Sequence, residues 1–315
     1  MNRVLGFLQS SAFRTALLVL ALLAAVYAVA KNWAEVSDSL SKLPWWLVVI
    51  EILLAFAYVY LTMASWRVIL NDVGEPVNSA VARRIFFSSQ VAKYLPGGVW
   101  NFVAAAEVGK DYSISRRRSV CALLVSMVIS IVTGMLLAVL AVVLGPAEVA
   151  DKYWWVAALI PVALIALVPP VLNRLVNLGL KLLRRAPLDD EMSWKGTIGA
   201  SVWALAAWIA VGLQLWLILI TLGMESSVSS FLLATGGYAL GWSAGFLVFF
   251  VPAGAGVREV ALGAVLSTVT SHGIVVVVVL LSRVFTTLAD VGWGIAASFQ
   301  MRRQAGRGGE IREEG

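Results

Sequence analysis

The chain has 315 residues, of which 60% are hydrophobic and 13% are charged, with a formal net charge of +6. A soluble domain contains about 25% charged residues, so this composition excludes a soluble class and indicates an integral membrane protein. The only cysteine is Cys121 and the only histidine is His272, which excludes a disulfide framework and argues against a metal site of several thiolates or imidazoles. We therefore predict no metal and no cofactor. We also predict no nucleic-acid partner, because a positive excess in a membrane protein reflects topology.

Apolar runs near the ~20 residues that a spanning helix needs predict an all-α, polytopic bundle with about six full transmembrane spans. The predicted spans are residues 12–30, 44–64, 119–144, 153–172, 197–221 and 274–298. Two further apolar regions, at 85–109 and 231–266, are broken by proline and glycine. We assign all of these to a single transmembrane domain, residues 1–299, followed by a cytoplasmic basic tail, residues 300–315.

Each broken region has charge beside the break. The first contains the sequence KYLPGGVW at 93–100, and the second contains PAGAGVRE at 252–259. The residues that break the helices are Pro96, Gly97 and Gly98 in the first region and Pro252, Gly254 and Gly256 in the second. Backbone groups freed by a break find no water in hydrocarbon and survive only beside protein or a polar cavity. We therefore predict two re-entrant hairpins that line a polar path in the membrane.

The distribution of Lys and Arg predicts the orientation in the membrane. With both termini cytoplasmic, 18 of the 24 basic residues fall in cytoplasmic segments and three in external loops. The remaining three, Lys93, Arg258 and Arg283, lie at membrane depth. This bias holds only if both broken regions return to the side that they entered, which makes them enter from opposite sides, as in many transporters. We predict a multi-pass protein of the cell membrane.

Charged side chains at membrane depth are functional candidates because their burial is costly. Arg283 and Asp290 lie seven residues apart, on one helical face but about two turns apart, so we expect each to have a partner elsewhere. Asp290 is a candidate for ion coupling, and a solvated carboxylate near the cytoplasmic interface is the alternative. Arg258 follows the second break, where a helix N-terminus and a guanidinium suit phosphate. The alternative, compatible with phosphate contact, is an internal pair with Glu259 that holds the hairpin.

The residues around the first break and one acid in the second span complete the candidates. Lys93 either snorkels to the interface or meets an anionic headgroup, and Tyr94 lies beside it. Trp100 and Asn101 follow the break as an aromatic wedge and a neutral hydrogen-bonding group. Glu51 is a proton-coupling carboxylate, the partner of a buried arginine, or a snorkelling interfacial glutamate.

No enzyme signature is convincing, and we predict a protein that is not an enzyme and has no catalytic residues. The segment 241–245 matches Gly-x-Ser-x-Gly, but it lies in a membrane hairpin with no strand before it. The glycines at 237, 241 and 245 instead predict close helix packing. The short Gly-Ala-Gly at 254–256 lacks the context of a dinucleotide site, and no P-loop is present.

The two broken motifs, together with Trp66-Arg67 and Arg283, resemble the lysylphosphatidylglycerol synthase transmembrane family of flippase-like integral membrane proteins. The resemblance covers nearly the whole chain. It implies a polytopic helical fold with re-entrant elements and a role in moving anionic lipids or lipid-linked sugars between leaflets. In the best-known members this region is joined to a soluble aminoacyl-transferase domain. The present residues include no such domain, so we do not expect synthesis of lysyl-lipid.

The expected function is flippase-like translocation of an anionic phospholipid or a polyprenyl-phosphate-linked glycan between leaflets. The expected substrate contacts are Lys93, Tyr94, Trp100, Asn101, Arg258, Glu259 and Arg283, with Glu51 and Asp290 for ion coupling. One alternative is a non-transporting membrane partner that binds lipid or lipid-linked glycan for a separate glycosyltransferase or ligase. Another is a membrane enzyme that acts on a lipid phosphate. A partner glycosyltransferase or a homo-oligomer is compatible with these functions.

Overall fold

The computed structural model of the protein describes residues 23, 26–95, 99–145, 151, 154–182, 190–247 and 254–313. These residues form α-helices and one short 3-10 helix, with no strand among them, so the all-α prediction is confirmed for the described part of the chain. The helices are α1 (Trp33–Ser41), α2 (Trp45–Asp72), α3 (Ser79–Ala92), α4 (Trp100–Lys110), α5 (Arg116–Val143), α6 (Leu159–Ala166), α7 (Pro169–Leu182), α8 (Trp194–Thr221), α9 (Val228–Leu247), α10 (Val257–Leu266) and α11 (His272–Glu313).

Four helices are long and apolar enough to cross a bilayer, namely α2, α5, α8 and the His272–Phe299 part of α11. Each of these segments has 28 residues, which is about 42 Å of helix against a hydrocarbon core of about 30 Å. The number becomes five if the bent pair α6–α7 is one broken span. The chain is therefore a polytopic helical membrane protein, but the expectation of six full spans is wrong for the described residues. The predicted span at 12–30 lies mostly outside them, although residues 26–30 are helical.

The predicted span at 153–172 is not a single helix. A 3-10 helix occupies Trp154–Ala158, and α6 and α7 meet at an angle of 82°. The consecutive prolines Pro169 and Pro170 explain the bend. Neither has an N–H to donate along a helix, and a proline disfavours the α region for the residue before it, here Val168. Pro169 becomes the first residue of α7, a position where the missing N–H has no helical acceptor to lose.

The helices α2 and α8 form the central pair of the bundle, and α5 packs against both. Small residues allow this close approach, as is usual in membrane bundles. A Cβ added at Gly199 of α8 would lie 3.2 Å from Val68 Cγ1 of α2. The Ser65 hydroxyl also donates a hydrogen bond to the Ala200 carbonyl across the same interface, at 2.8 Å. This central pair contacts both broken regions, because α2 packs against α3 and α8 packs against α9.

Each broken region is a pair of helices that pack against each other. The first pairs α3 with α4, and the second pairs α9 with α10. The arms have 14 and 11 residues in the first region and 20 and 10 in the second, or about 21, 17, 30 and 15 Å. The breaking residues Pro96, Gly97, Gly98 and Pro252 lie outside the described residues. The return of each hairpin to its side of entry stays a prediction.

The last helix, α11, connects the two broken regions because it packs against α3 of the first and α10 of the second. Its start is fixed by Glu35 of α1, whose carboxylate accepts hydrogen bonds from the Gly273 N–H at 3.0 Å and from the Ser271 hydroxyl. A carboxylate at this position also suits the positive end of the helix dipole. The helix runs to Glu313, so the described part of the predicted tail continues α11. The domain boundary at residue 299 stays a prediction.

Candidate functional site

Five charged side chains lie where the two hairpins meet α11. Lys93 comes from the first hairpin, Arg258 and Glu259 come from the second, and Arg283 and Asp290 come from α11. We call these five residues the charged cluster. Two ion pairs join α11 to the hairpins, and the Lys93 ammonium is within electrostatic range of both arginines. The structure therefore brings together charges that the sequence predicts at membrane depth.

Asp290 is paired with the first hairpin. Its Oδ2 lies 2.7 Å from Lys93 Nζ and accepts a hydrogen bond from the Tyr94 hydroxyl at 2.6 Å. Its side chain is only 2% exposed, so the alternative of a solvated carboxylate is wrong. Lys93 Nζ also donates to Gln90 Oε1 at 2.9 Å, and the Tyr94 hydroxyl lies 3.3 Å from Thr287 Oγ1.

The end of α3 explains how two consecutive side chains reach one carboxylate. In a regular helix, neighbouring side chains diverge by about 100°. Because α3 ends at Ala92, Lys93 and Tyr94 lie in a turn, and both side chains reach Asp290. The interruption of the helix therefore produces the local geometry of the site.

Glu259 serves two partners in the second hairpin. Gly256 has φ 87°, in the left-handed region that favours glycine, and it begins α10 as its N-cap. The Gly256 N–H donates to Glu259 Oε2 at 2.6 Å, which is half of a capping box. The other oxygen, Oε1, lies 3.4 Å from Arg283 Nε. Among the described residues, Glu259 makes its ion pair with Arg283 of α11 rather than with Arg258. Arg283 and Asp290 both have partners on other elements, as their spacing predicts.

Arg258 stacks on an aromatic ring instead of pairing with a carboxylate. Its guanidinium carbon lies 4.3 Å from the centroid of the Tyr238 ring, a cation–π contact. Tyr238 is fully buried, and its ring packs edge-on against Tyr58 with centroids 6.1 Å apart. The Arg258 Nη2 atom is buried and makes no hydrogen bond of regular geometry, although the buried Tyr238 hydroxyl is close to the guanidinium. A buried donor left without an acceptor costs about 1–3 kcal/mol, and more when it is charged, so this nitrogen is a candidate contact for a ligand.

The glycine stripe of α9 brings Arg258 to this position. A Cβ at Gly241 would lie 2.9 Å from the Arg258 carbonyl oxygen, and a Cβ at Gly245 would lie 3.1 Å from Arg258 Cβ. A Cβ at Gly237 would lie 3.0 Å from Val265 further along α10. The prediction of close packing along this stripe is confirmed.

The charged cluster carries three cations and two carboxylates, which leaves a net charge of +1. An uncompensated charge is costly in a region of low dielectric. A ligand with one negative charge would neutralise the cluster, and guanidinium groups match the oxygens of carboxylate and phosphate in particular. Within the described ranges, no group of three or more His, Cys, Asp or Glu side chains could hold a metal ion. The arrangement is therefore suited to binding a monoanion.

The other predicted site residues lie apart from these contacts. Asn101 is 9% exposed near the start of α4, and Trp100, the first residue of α4, is 44% exposed. In the part of the chain that the structure describes, no hydrogen bond or ion pair joins Asn101 or Glu51 to the charged cluster. Gly254 has φ 66°, and a Cβ there would lie 2.9 Å from Gly245 Cα, so it permits the close approach of the two arms.

Glu51 is buried in α2, with 1% exposure. Gln214 of α8 faces its carboxyl group, but Gln214 Nε2 donates to the Glu51 carbonyl oxygen at 3.2 Å. Neither carboxyl oxygen has a hydrogen bond of regular geometry, and no ion pair involves Glu51 among the residues described. The alternatives of an interfacial glutamate and of a partner for a buried arginine are wrong for this residue. Ion coupling at Glu51 stays a prediction.

Sequence reasoning missed Tyr238 and the polar neighbours of the ion pair. Gln90 and Thr287 each lie three residues before a member of the charged cluster, which is the spacing of adjacent helical turns. Tyr238 lies between two glycines of the α9 stripe. The spacing of Gln90 and Thr287 could therefore have predicted them as neighbours of Lys93 and Asp290. The contact between Tyr238 and Arg258 could not be predicted in this way, because it depends on the packing of two separate helices.

An exposed ion pair outside the cluster provides a useful comparison. Arg116 Nε and Nη2 donate to Glu107 Oε1 and Oε2, both at 2.9 Å, and both side chains are 55% exposed. These hydrogen bonds hold the pKa of the Glu107 carboxyl below its usual value. This pair has bidentate geometry in solvent, whereas Arg258 has a buried guanidinium nitrogen without a regular hydrogen bond.

A comparison with protein-family models gives a match to the lysylphosphatidylglycerol synthase TM region over residues 13–294. The matched range includes both broken regions and all five residues of the charged cluster. No curated protein and no solved structure gives a significant match. The resemblance that the two motifs indicate is therefore confirmed by the match over residues 13–294.

Proposed function

The chain belongs to the lysylphosphatidylglycerol synthase transmembrane family, and from this premise we propose that it translocates an anionic lipid or a lipid-linked phosphoglycan between leaflets. Membership of the family supports a function related to membrane lipids. One observation carries the finer proposal, namely the buried Arg258 Nη2 without a regular hydrogen bond in a cluster of net charge +1.

The proposal rests on the cost of moving a headgroup through hydrocarbon. An unpaired charge or polar group in that region costs several kcal/mol. The charged cluster offers donors that replace the water around a phosphate during the crossing. The Arg258 fork supplies two parallel donors to phosphate oxygens, and the ligand gives a regular hydrogen bond to a buried nitrogen that otherwise lacks one. The hydrocarbon chains of the substrate stay in the surrounding lipid.

The two ion pairs of the cluster differ in length, and the proposal gives their cations and carboxylates different roles. The Arg283–Glu259 contact, at 3.4 Å, is longer than the 2.7 Å contact between Lys93 and Asp290. Charge-assisted bonds are normally about 2.7–2.9 Å, so the Arg283–Glu259 contact is the looser of the two ion pairs. In this proposal Arg258, Arg283 and Lys93 contact the substrate, while Glu259 and Asp290 are counterions that hold these cations in place.

The remaining predicted residues take secondary roles in the proposal. Tyr94 contacts the substrate beside Lys93, and Trp100 and Asn101 flank the path at the start of α4. Asp290 and Glu51 are the candidates for ion coupling. The proposal is of a transporter without its own ATPase, and not of an enzyme.

The test is reconstitution of the purified protein in liposomes with a fluorescently labelled phosphatidylglycerol, followed by quenching of the outer leaflet. Arg258→Gln should lower the initial rate of translocation by about tenfold to 150-fold, because a hydrogen bond to a charged group contributes about 1.5–3 kcal/mol. The matched control is Arg116→Gln, which makes the same chemical change at an exposed pair and should leave the rate within about twofold. A wild-type rate in Arg258→Gln would refute the role of this cluster.

The same preparation separates the alternative functions. A non-transporting partner would bind the labelled lipid, as shown by an increase in melting temperature, without equilibrating it between leaflets. A membrane enzyme would convert the lipid into a product without any added enzyme. Translocation by the wild-type protein, with neither of these outcomes, supports the proposed transporter.

A further inference from the structure

Glu51 of α2 and Gln214 of α8 are two polar side chains buried inside the central helix pair. Glu51 is 1% exposed and Gln214 is 0% exposed. Glu51 belongs to a buried stripe of α2 with four-residue spacing, in which Leu47 precedes it and Ala55 and Val59 follow it. The pair is therefore a polar position surrounded by apolar packing, and an ionisable group in such a position is a candidate for function.

The carboxyl group of Glu51 has no charged neighbour in the part of the chain that the structure describes. The helices α3, α5, α8 and α11 pack against α2. The titratable side chains described on these five helices, and directly after α3, are Tyr58, Tyr60, Arg67, Asp72, Arg83, Arg84, Lys93, Tyr94, Arg116, Arg117, Arg118, Cys121, Lys195, His272, Arg283 and Asp290. None of them acts on the Glu51 carboxyl group, whose surroundings are set by burial and by the Gln214 amide.

The hydrogen bonds of this pair do not suit an ionised carboxylate. Gln214 Nε2 donates to the backbone carbonyl oxygen of Glu51 at 3.2 Å. Both carboxyl oxygens of Glu51 and the Oε1 atom of Gln214 are buried without a hydrogen bond of regular geometry. A carboxylate and an amide oxygen can only accept hydrogen bonds. The pair therefore presents three buried acceptors and lacks a donor for them.

One proton supplies the donor that is lacking. A neutral carboxyl group has an O–H to donate, and the Gln214 amide that faces it has a free acceptor, Oε1. The neutral form also removes an isolated charge, which an apolar interior disfavours so strongly that a buried carboxyl group takes up a proton instead. A metal ion fits less well, because three side-chain oxygens are few ligands and both residues lie within continuous helices.

We propose that Glu51 and Gln214 form a proton-binding site inside the central helix pair, in which protonated Glu51 donates a hydrogen bond to Gln214 Oε1. Release of this proton to water leaves an unpaired carboxylate between α2 and α8, so the protonation state acts on the packing of these two helices. The inference deepens the proposed function, because it names the proton as the ion for the coupling role of Glu51. The use of the site in transport rests on that function, whereas proton binding does not.

Infrared spectroscopy tests proton binding directly, with the protein in dodecyl maltoside, a detergent without carbonyl groups. Near neutral pH the wild-type protein should show the C=O stretching band of a neutral carboxylic acid, and Glu51→Gln should lack it. The glutamine has the shape of the neutral acid and donates an N–H in place of the O–H, so this variant should stay folded. Glu107→Gln is the matched control at an exposed ion pair and should keep the band.

Two results would overturn the proton-binding site. One is a wild-type spectrum without the acid band, and the other is a band that is unchanged in Glu51→Gln. Gln214→Leu tests the partner, because the O–H of Glu51 then loses its acceptor and the band should move to a higher wavenumber. Gln90→Leu makes the same chemical change on α3 and should leave the band in place. An unmoved band in Gln214→Leu would overturn the assigned hydrogen bond and the two-residue site with it.

Transport is measured separately, in liposomes with labelled phosphatidylglycerol. A pH difference across the membrane should change the initial rate of translocation several-fold in the wild-type protein but not in Glu51→Gln, and a sodium difference at equal pH should change neither. A wild-type rate without this response, or a response that persists in Glu51→Gln, would overturn the coupling role. If the acid band is present but no lipid is translocated, the proposed function fails and the proton-binding site stands. If lipid is translocated and the band is absent, the site fails and the function stands.

Discussion

Replacing Asp290 with asparagine removes the carboxylate that Lys93 and Tyr94 share. Removal of one partner from a buried ion pair costs about 3–5 kcal/mol when the other charge stays buried. Because the Lys93 side chain is 31% exposed, its surroundings partly stabilise the unpaired ammonium. We therefore expect the loss of the ion pair to cost about 2 kcal/mol of unfolding free energy. The Tyr94 hydrogen bond changes from a charged to a neutral acceptor, which removes about 1 kcal/mol more. The expected loss in the free energy of unfolding for Asp290→Asn is therefore about 3 kcal/mol.

A double-mutant cycle isolates the ion pair from other effects of the substitution. Lys93→Met leaves Asp290, only 2% exposed, without its cation and should destabilise the protein by about 3–5 kcal/mol. The double variant removes both charges, so its loss should be about 2 kcal/mol smaller than the sum of the single losses. The measurement is unfolding of the protein in mixed micelles by added sodium dodecyl sulfate, followed by tryptophan fluorescence.

An exposed ion pair is the control for this cycle. Lys42 Nζ lies 2.6 Å from Asp38 Oδ2, but the side chains are 57% and 58% exposed. Asp38→Asn should change the free energy of unfolding by less than about 0.5 kcal/mol. If the losses in Asp290→Asn and Lys93→Met add within about 0.5 kcal/mol in the double variant, the two residues are not coupled, and the reasoning from the 2.7 Å contact is refuted.

Three further predictions concern local structure. Gly256→Ala should destabilise the protein by about 1–2 kcal/mol, because Gly256 has φ 87°, whereas Gly179→Ala should be neutral or stabilising by up to about 1 kcal/mol, since a Cβ there meets nothing within 4 Å. Ser193→Ala should cost about 1–2 kcal/mol, because the Ser193 hydroxyl caps α8 by accepting from the Gly196 N–H at 3.0 Å; detergent unfolding measures all three variants. Arg116 lowers the pKa of Glu107, so the small stabilisation from this pair is present above the ordinary glutamate pKa and is lost as the pH falls through the lowered value. In Arg116→Gln the Glu107 pKa should rise towards the ordinary value in a carbon-13 NMR titration, and an unchanged pKa would contradict the assigned cause.

Hydropathy predicted those spans whose whole length is apolar. The predicted ranges 119–144, 197–221 and 274–298 correspond to α5, α8 and the spanning part of α11 within a few residues. The range 44–64 found α2 but ended too early, since the helix continues to Asp72. The last two turns carry polar residues, but Trp66 and Ile69 on the inner face are fully buried. Packing against the bundle therefore extends this helix beyond the apolar run that the sequence displays.

The failed span at 153–172 shows the limit of hydropathy. The run is apolar throughout, yet α6 ends at Ala166 and a new helix, in a different direction, begins at Pro169. Backbone chemistry decides the path of the chain here, because a missing N–H breaks a helix regardless of the apolar character of its side chains. The prolines were visible in the sequence, and they should have outweighed the hydropathy of the segment.

The charged residues of the site were predictable, but their partners were not. A charge in an apolar run marks a costly and therefore informative position, which identified Lys93, Arg283 and Asp290. Partner choice depends on contacts between distant parts of the chain. Tyr94 and Asp290, for example, are separated by 196 residues. The sequence alone does not show whether Lys93 pairs with Asp290 or with Glu51. The packing of α3 on α11 decides it.

The pairing across α11 explains why Arg258 is the cation without a carboxylate partner in the charged cluster. The helix α11 contributes one acid and one base, seven residues apart. Its acid, Asp290, pairs with the base of the first hairpin, and its base, Arg283, pairs with the acid of the second. Each contact neutralises a charge on a different hairpin, so both broken elements are held to the same helix. Arg258 is then the excess charge of the cluster, stacked on Tyr238 with one nitrogen lacking a regular hydrogen bond. In the proposed function, an anionic headgroup at this nitrogen would complete the charge balance without breaking either ion pair.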